Sequence, residues 1–455
     1  MTVPKREPLM PIPDPRGGLD RRQALMLLGA GLLTPSELLA SELDPARFSG
    51  FVDGERQSFT LSNGTVLTHD GLVLLNAGIR VEGGRIVEVG RGVTGGEDLG
   101  GDWLVPGLVD AGCTLGMYEI GGEPSTRDDG DGPAVTVAAR AVDGLNPRSQ
   151  TLAVARAEGI THALLHPSLG RLVPGQAGLI RTAGGTLDST VRRESVALVV
   201  CFGASAKGGE GGPSSRIGIS RALLELMEGA PEPQALSARG RSGAGGTWRE
   251  NSRSTSPPDT EHDRVLQQVR ARSLKVIAAA DRADDIERAL DFFDAHQLDG
   301  LIMGGAEAWM VASQVADAGC GVLLGPLTTQ PDSFDHIHAR YENAAMLHDA
   351  GVPLALRSGG NHSSRRLRLQ AGLLTAHGLP HEAAIHALTA GAGALLGVPG
   401  LGRLDPGTAA TFFRATGDPL QPRSQVVQVW MAGRRADMRT RQTELRDRFE
   451  TLSPR

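Results

Sequence analysis

Four histidines stand where imidazoles could meet: His166, His336, His338 and His362 each follow an apolar run that reads as a strand. Neutral imidazole is a good ligand for a divalent cation such as zinc, and a working site needs at least three protein ligands converging on one point. His162 and His166 have even spacing on one run and so share a face. Against a metal site stands the ordinary fate of a scattered histidine, which is to be solvated. Cys113 offers a thiol at a strand end. A thiolate needs a base or a positive charge to lower its pKa from about 8.5, and no sequence neighbour supplies one, so Cys113 reads first as a small packed residue and second as a nucleophile. Downstream, Glu119, Glu123, Arg127, Asp128 and Asp129 form a charged stretch. Glu119 and Arg127 are expected on the rim of a pocket, with Arg127 suited to an anionic ligand.

The elements that must position these groups follow from the apolar runs. Trp103–Val109, Gly159–Leu165, Ala177–Thr182, Ser195–Cys201, Leu274–Ala280, Gly300–Gly304, Gly319–Leu324 and Val352–Leu356 alternate with helical stretches. Near-continuous apolar strands, each followed by a helix, predict an α/β protein built on a parallel (β/α)8 TIM barrel, whose reactive groups sit at the carboxyl ends of the strands. Residues 58–99 alternate apolar and polar positions between glycine turns, and Ala410–Arg414 and Val426–Met431 have the same character. Segments 58–99 and 408–436 are therefore expected to form a small composite β-sandwich flanking the barrel at 100–407. Residues 203–260 interrupt the pattern with a glycine cluster, a helix from Arg216 to Met227 and a Ser, Gly, Arg and Pro mixture, the composition of an inserted low-complexity loop.

The 455 residues carry 40 % hydrophobic side chains, enough for a large core. A net charge of -6 and only 4 % aromatics disfavour a nucleic-acid partner. Cys113, Cys201 and Cys320 are too few and too scattered for a disulfide framework, and none forms a CxxC pair. Lysine occurs only at Lys5, Lys207 and Lys275. In segment 1–41, Arg21 and Arg22 precede the apolar run Ala24 to Leu33, with small residues near Ala40 and Ser41. That run is too short to span a bilayer and has the form of a twin-arginine export signal, so an exported, periplasmic protein without a transmembrane helix in its mature chain is expected. The alternative is an ordinary amphipathic helix on a cytoplasmic protein.

Two ends of the chain carry a family resemblance. The segment Gly83, Gly84, Arg85, Ile86, Val87, Glu88, Val89, Gly90, followed by Leu104, Val105, Pro106, Gly107, Leu108, Val109, Asp110, Ala111, resembles the start of the barrel in the metal-dependent amidohydrolases, particularly the imidazolonepropionase-like branch. Ala387 to Ala390, Leu396 to Val398, Gly402, Asp405 to Gly407, Gly417 to Pro419 and Val429 to Gly433 resemble that family's carboxyl-terminal end. The resemblance implies a hydrolase of non-peptide carbon–nitrogen bonds using a divalent metal. It also places the family's ligands and catalytic acid at Gly112, Thr114, Ala279, Gly304 and Gly359, none of which can serve. Asp281, Arg282, Asp285, Ile286, Glu307 and Trp309 resemble family residues that hold the barrel top together. The expectation is a barrel without a cofactor, retained to bind an unknown small molecule or protein partner. The alternatives are an active amidohydrolase whose zinc is held by a rearranged histidine set, and metal-free chemistry at Cys113.

Overall fold

The computed structural model describes residues 49–52, 57–130, 132–229, 260–330 and 333–450. The expected export segment and residues 230–259 of the expected insertion lie outside them.

The described chain opens with β1 (Phe59–Leu67), β2 (Val73–Glu82), β3 (Arg85–Gly90), β4 (Glu97–Asp98) and β5 (Trp103–Pro106). Eight barrel strands follow: β6 (Leu108–Cys113), β7 (Ile160–Leu165), β8 (Gly175–Arg181), β9 (Val191–Cys201), β10 (Lys275–Ala280), β11 (Gly300–Gly304), β12 (Gly321–Leu324) and β13 (Leu354–Leu356). The chain returns to the first sheet with β14 (Phe412–Ala415), β15 (Val426–Met431) and β16 (Arg434–Arg435).

The terminal segments form one sheet in the order β16-β15-β14-β5-β1-β2-β3, with β4 beside β1. The expected sandwich of two facing sheets is corrected to this single mixed sheet. Period-two alternation buries one face: Leu61, Ile79, Val81, Ile86 and Leu104 cluster with Phe412 and Trp430, whose rings stack at 4.9 Å. The β2–β3 turn needs positive φ at both central positions, which Gly83 (φ 55) and Gly84 (φ 80) supply. The apolar run Trp103–Val109 serves both sheets. It breaks at Gly107, where a side chain would strike Thr161, so β5 joins the terminal sheet and β6 opens the barrel.

The barrel strands are neighbours in chain order from β6 to β13. Its seam is drawn together by Gly359 N–H, which donates to Gly112 O at 3.0 Å. Val109, Ala111, Leu179, Val199, Ile277, Met303 and Leu323 belong to one buried cluster, while Leu108, Leu165, Leu198 and Val276, at the alternate positions, pack in another with helix residues such as Ile286 and Ala371. One strand departs from the expected uniform pattern: β8 runs antiparallel to both β7 and β9, and the other neighbouring pairs are parallel. The cause is connection length. Residues 166–174 join β7 to β8 and 182–190 join β8 to β9, both shorter than the dozen or so residues that a parallel crossover needs.

The helix read at Arg216–Met227 is Arg216–Glu228, started by the Ser215 hydroxyl accepting from Gly218 N–H and stopped by Gly229 at φ 79. Among the described residues no helix is long and apolar enough to cross a membrane.

Candidate functional site

The carboxyl ends of β6, β7 and β13 meet around a buried polar group. Asp110 on β6 is fully enclosed and accepts from Ser358 N–H at 3.0 Å, from the Ser364 hydroxyl at 2.9 Å, from Gly112 N–H at 3.3 Å, and from the Ser358 hydroxyl. Burial raises its pKa above the ordinary carboxylate value despite these donors. From the end of β13, Arg357 turns inward with 4 % exposure. Its Nη1 donates to Gly325 O at 2.6 Å and its Nη2 to His166 Nε2 at 2.9 Å, while Nε is buried without a hydrogen-bond partner. Arginine can only donate and a carbonyl can only accept. His166 is therefore neutral, with Nδ1–H donating to Pro167 O at 2.9 Å. Burial and then the Arg357 charge agree, lowering its pKa to about 3. Burial likewise pulls the Arg357 guanidinium below its usual value, opposed by Asp281 and Asp110.

The residues at the five positions that the resemblance implies, Gly112, Thr114, Ala279, Gly304 and Gly359, do not fit a metal. An ideal Cβ on Gly112 would lie 2.8 Å from Arg357 Nε, one on Gly304 would lie 2.5 Å from Asp281 Oδ1, and one on Gly359 would lie 2.8 Å from Pro326 Cδ. Gly304 and Gly359 also have φ of 100° and 77°, which side-chain residues avoid. Ala279 is buried in β10, and Thr114 is enclosed with its carbonyl accepting from Met117 N–H. At Gly112 the Arg357 guanidinium occupies the space that a larger side chain would need.

The four candidate histidines are not brought together. His166 is held by Arg357, His336 Nε2 lies 3.1 Å from Asp281, exposed His338 touches Glu307 and Trp309 through its backbone, and exposed His362 meets the Tyr118 ring edge-on. Among the described residues no group of three or more His, Cys, Asp or Glu side chains could hold a metal ion. Cys113 is fully buried, and burial followed by the Asp110 charge pushes its thiol well above the usual range, which removes the expected exposed nucleophile.

On the rim, Arg127 is committed to Asp129 at 3.0 Å and lies over Tyr118, and Glu119 accepts from Asn146 at 3.0 Å. Arg127 faces a cavity of about 680 Å³ beside Arg140, Asn146 and Pro167, and Glu119 faces another of about 520 Å³. Of the residues expected to brace the barrel top, Asp285 and Glu307 link different elements. Asp285 receives two hydrogen bonds from Arg216 at 2.8 and 2.7 Å, and Glu307 accepts from Ala283 N–H at 3.2 Å and from His338 N–H at 3.3 Å.

Sequence reading missed Arg357, Ser358 and Ser364. The available signal was an arginine directly behind the apolar run of β13.

Comparison with known proteins agrees with this architecture. No family model matches the chain. An amidohydrolase, tasK, from Hapsidospora irregularis is 28% identical over 325 residues, covering 63% of this chain and 31% of that protein. The chain thus spans about a third of the length of that relative. The crystal structure of an amidohydrolase from Thermotoga maritima MSB8 superposes with a TM-score of 0.72 at 22% identity, covering 84% of this chain and 100% of the other. A second amidohydrolase structure aligns at a TM-score of 0.51 and 18% identity over 83% of this chain and 98% of its own. The chain is thus similar in sequence to one protein named an amidohydrolase and in fold to two others.

Proposed function

We propose that this barrel binds a ligand without hydrolysing it, with the buried Arg357 and its partners filling the place at which a metal is held in metal-dependent relatives. The observation that carries this reading is the guanidinium lying 2.8 Å from the place of a Gly112 Cβ. An imidazole there and Arg357 in its present position exclude one another. Metal-activated water needs an open coordination position on a metal held by three or more protein groups, and the chemistry of this donor set offers none among the described residues. Asp110 is tied to Ser358 and Ser364, so it is not a carboxylate left free to take a proton. Export to the periplasm is part of the proposal and rests on Arg21, Arg22 and the run Ala24 to Leu33 alone. Cell fractionation checks it: the protein is expected in the periplasmic fraction, and Arg21→Lys with Arg22→Lys is expected to hold it in the cytoplasm.

The barrel reading is tested by presenting a panel of cyclic amides, first by thermal shift and then by product formation, with and without added zinc. Stabilisation of the fold without turnover is expected. Zinc-dependent hydrolysis of any panel member, or no stabilisation by any of them, would overturn the proposal.

A further inference from the structure

Outside the barrel mouth lies a second cavity with its own character. Its volume is about 520 Å³, and the loop after β6, the helix Gln150–Ala157, the loop after β13 and the start of the helix Arg441–Glu450 enclose it. Three arginines from three different segments line it: Arg148, Arg365 and Arg441, joined by the exposed imidazole of His362. Glu119 is the single acid on its wall, and one Glu119 oxygen already accepts from Asn146. Among the described residues none of the three guanidiniums has a side-chain hydrogen bond or ion pair, whereas Arg127, Arg140, Arg216, Arg288, Arg368, Arg414 and Arg439 are each paired with a carboxylate. Like charges gathered without counter-ions repel one another, and an anion arriving between them relieves that repulsion.

Part of the lining is apolar. Ile120 is 60% exposed, and Val154 with the buried Ala155 continues the surface along the helix. The floor is rigid: Asn361 is 1% exposed, its Oδ1 accepts from Gly116 N–H at 2.9 Å, and its Nδ2 donates to Tyr118 O. Three guanidiniums and apolar side chains lining one cavity suit a ligand with an anionic head and an apolar body. Guanidinium binds the oxygens of a phosphate in paired hydrogen bonds, and the volume exceeds what inorganic phosphate alone would fill.

We propose that this groove is a binding site for a small organic phosphate, with Arg148, Arg365 and Arg441 around the phosphate and Ile120 and Val154 against the organic group. The site lies apart from the Arg357 centre, so it goes beyond the proposed barrel function and does not depend on it.

The probes are phenyl phosphate and inorganic phosphate, titrated into the intact protein by calorimetry. Phenyl phosphate is expected to bind at least fivefold more tightly than inorganic phosphate. Arg148→Ala, Arg365→Ala and Arg441→Ala are each expected to weaken phenyl phosphate at least fivefold, and the triple variant to abolish measurable binding. Because all three side chains are exposed and have no side-chain partner among the described residues, the variants should unfold at the same temperature as the parent, which separates a lost site from a lost fold. Ile120→Ser should narrow the preference for phenyl phosphate while leaving inorganic phosphate unchanged. No binding of phenyl phosphate to the parent, parent-like affinity in the triple variant, or an unchanged preference in Ile120→Ser would each overturn the assignment.

Discussion

The barrel mouth and the rim groove use the same residue type in opposite ways. Arg357 is buried, bonded to Gly325 O and His166 Nε2, and enclosed by a strand seam. Arg148, Arg365 and Arg441 are exposed and lack such partners among the described residues. A buried charge whose neighbours are all protein groups stabilises a particular arrangement, and losing it leaves those neighbours unsatisfied. Exposed charges gathered around a cavity contribute little to folding and are available to a ligand. Position within the fold, more than residue identity, separates a charge that holds the protein together from one that can recognise something else.

That contrast can be broken most directly at its buried end. Arg357→Ala should destabilise the protein by about 3 kcal/mol or more, because the Gly325 carbonyl and His166 Nε2 lose their donor and Asp110 loses its nearby cation. Urea midpoints measure this, and a loss below about 1 kcal/mol would mean that the buried network contributes little. Gly112→Ala is the next largest effect. Its methyl group would press on Arg357 Nε, an overpacking cost of about 1–3 kcal/mol, and a neutral result would mean that the guanidinium is free to move aside.

The third prediction concerns pH. His166 has a folded pKa of about 3, below the ordinary value of 6.5, so the unfolded chain takes up its proton first as the pH falls. Its contribution is complete above about pH 6.5 and is lost towards about pH 3, with a slope of up to about 1.4 kcal/mol per pH unit. His166→Gln should flatten stability across that window, and an unchanged slope would assign the acid sensitivity elsewhere. Smallest of all, Arg365→Ala should alter stability by no more than about 0.5 kcal/mol, as expected for an exposed side chain without a partner.

How much of this was legible in the sequence follows from what each feature depends on. The apolar runs from Gly159–Leu165 to Val352–Leu356 contain five of the barrel strands and overlap β8 and β9, because burial on both faces leaves a local mark. The direction of β8 left none in the apolar pattern, since periodicity is the same read either way, although the short stretches 166–174 and 182–190 held the information. At the candidate site, Gly112 and Thr114 are poor metal ligands by residue type alone. Their neighbour Arg357 was not legible, because it reaches Gly112 only once the last barrel strand meets the first. The rim arginines at 148, 365 and 441 are equally distant in sequence and are gathered only by the fold.

The central claim, that a guanidinium has taken the place of a metal centre, is tested most directly by the zinc content of the purified protein after dialysis with and without added zinc. Zinc at background level in both samples is the predicted result. One zinc per chain retained through dialysis would contradict it.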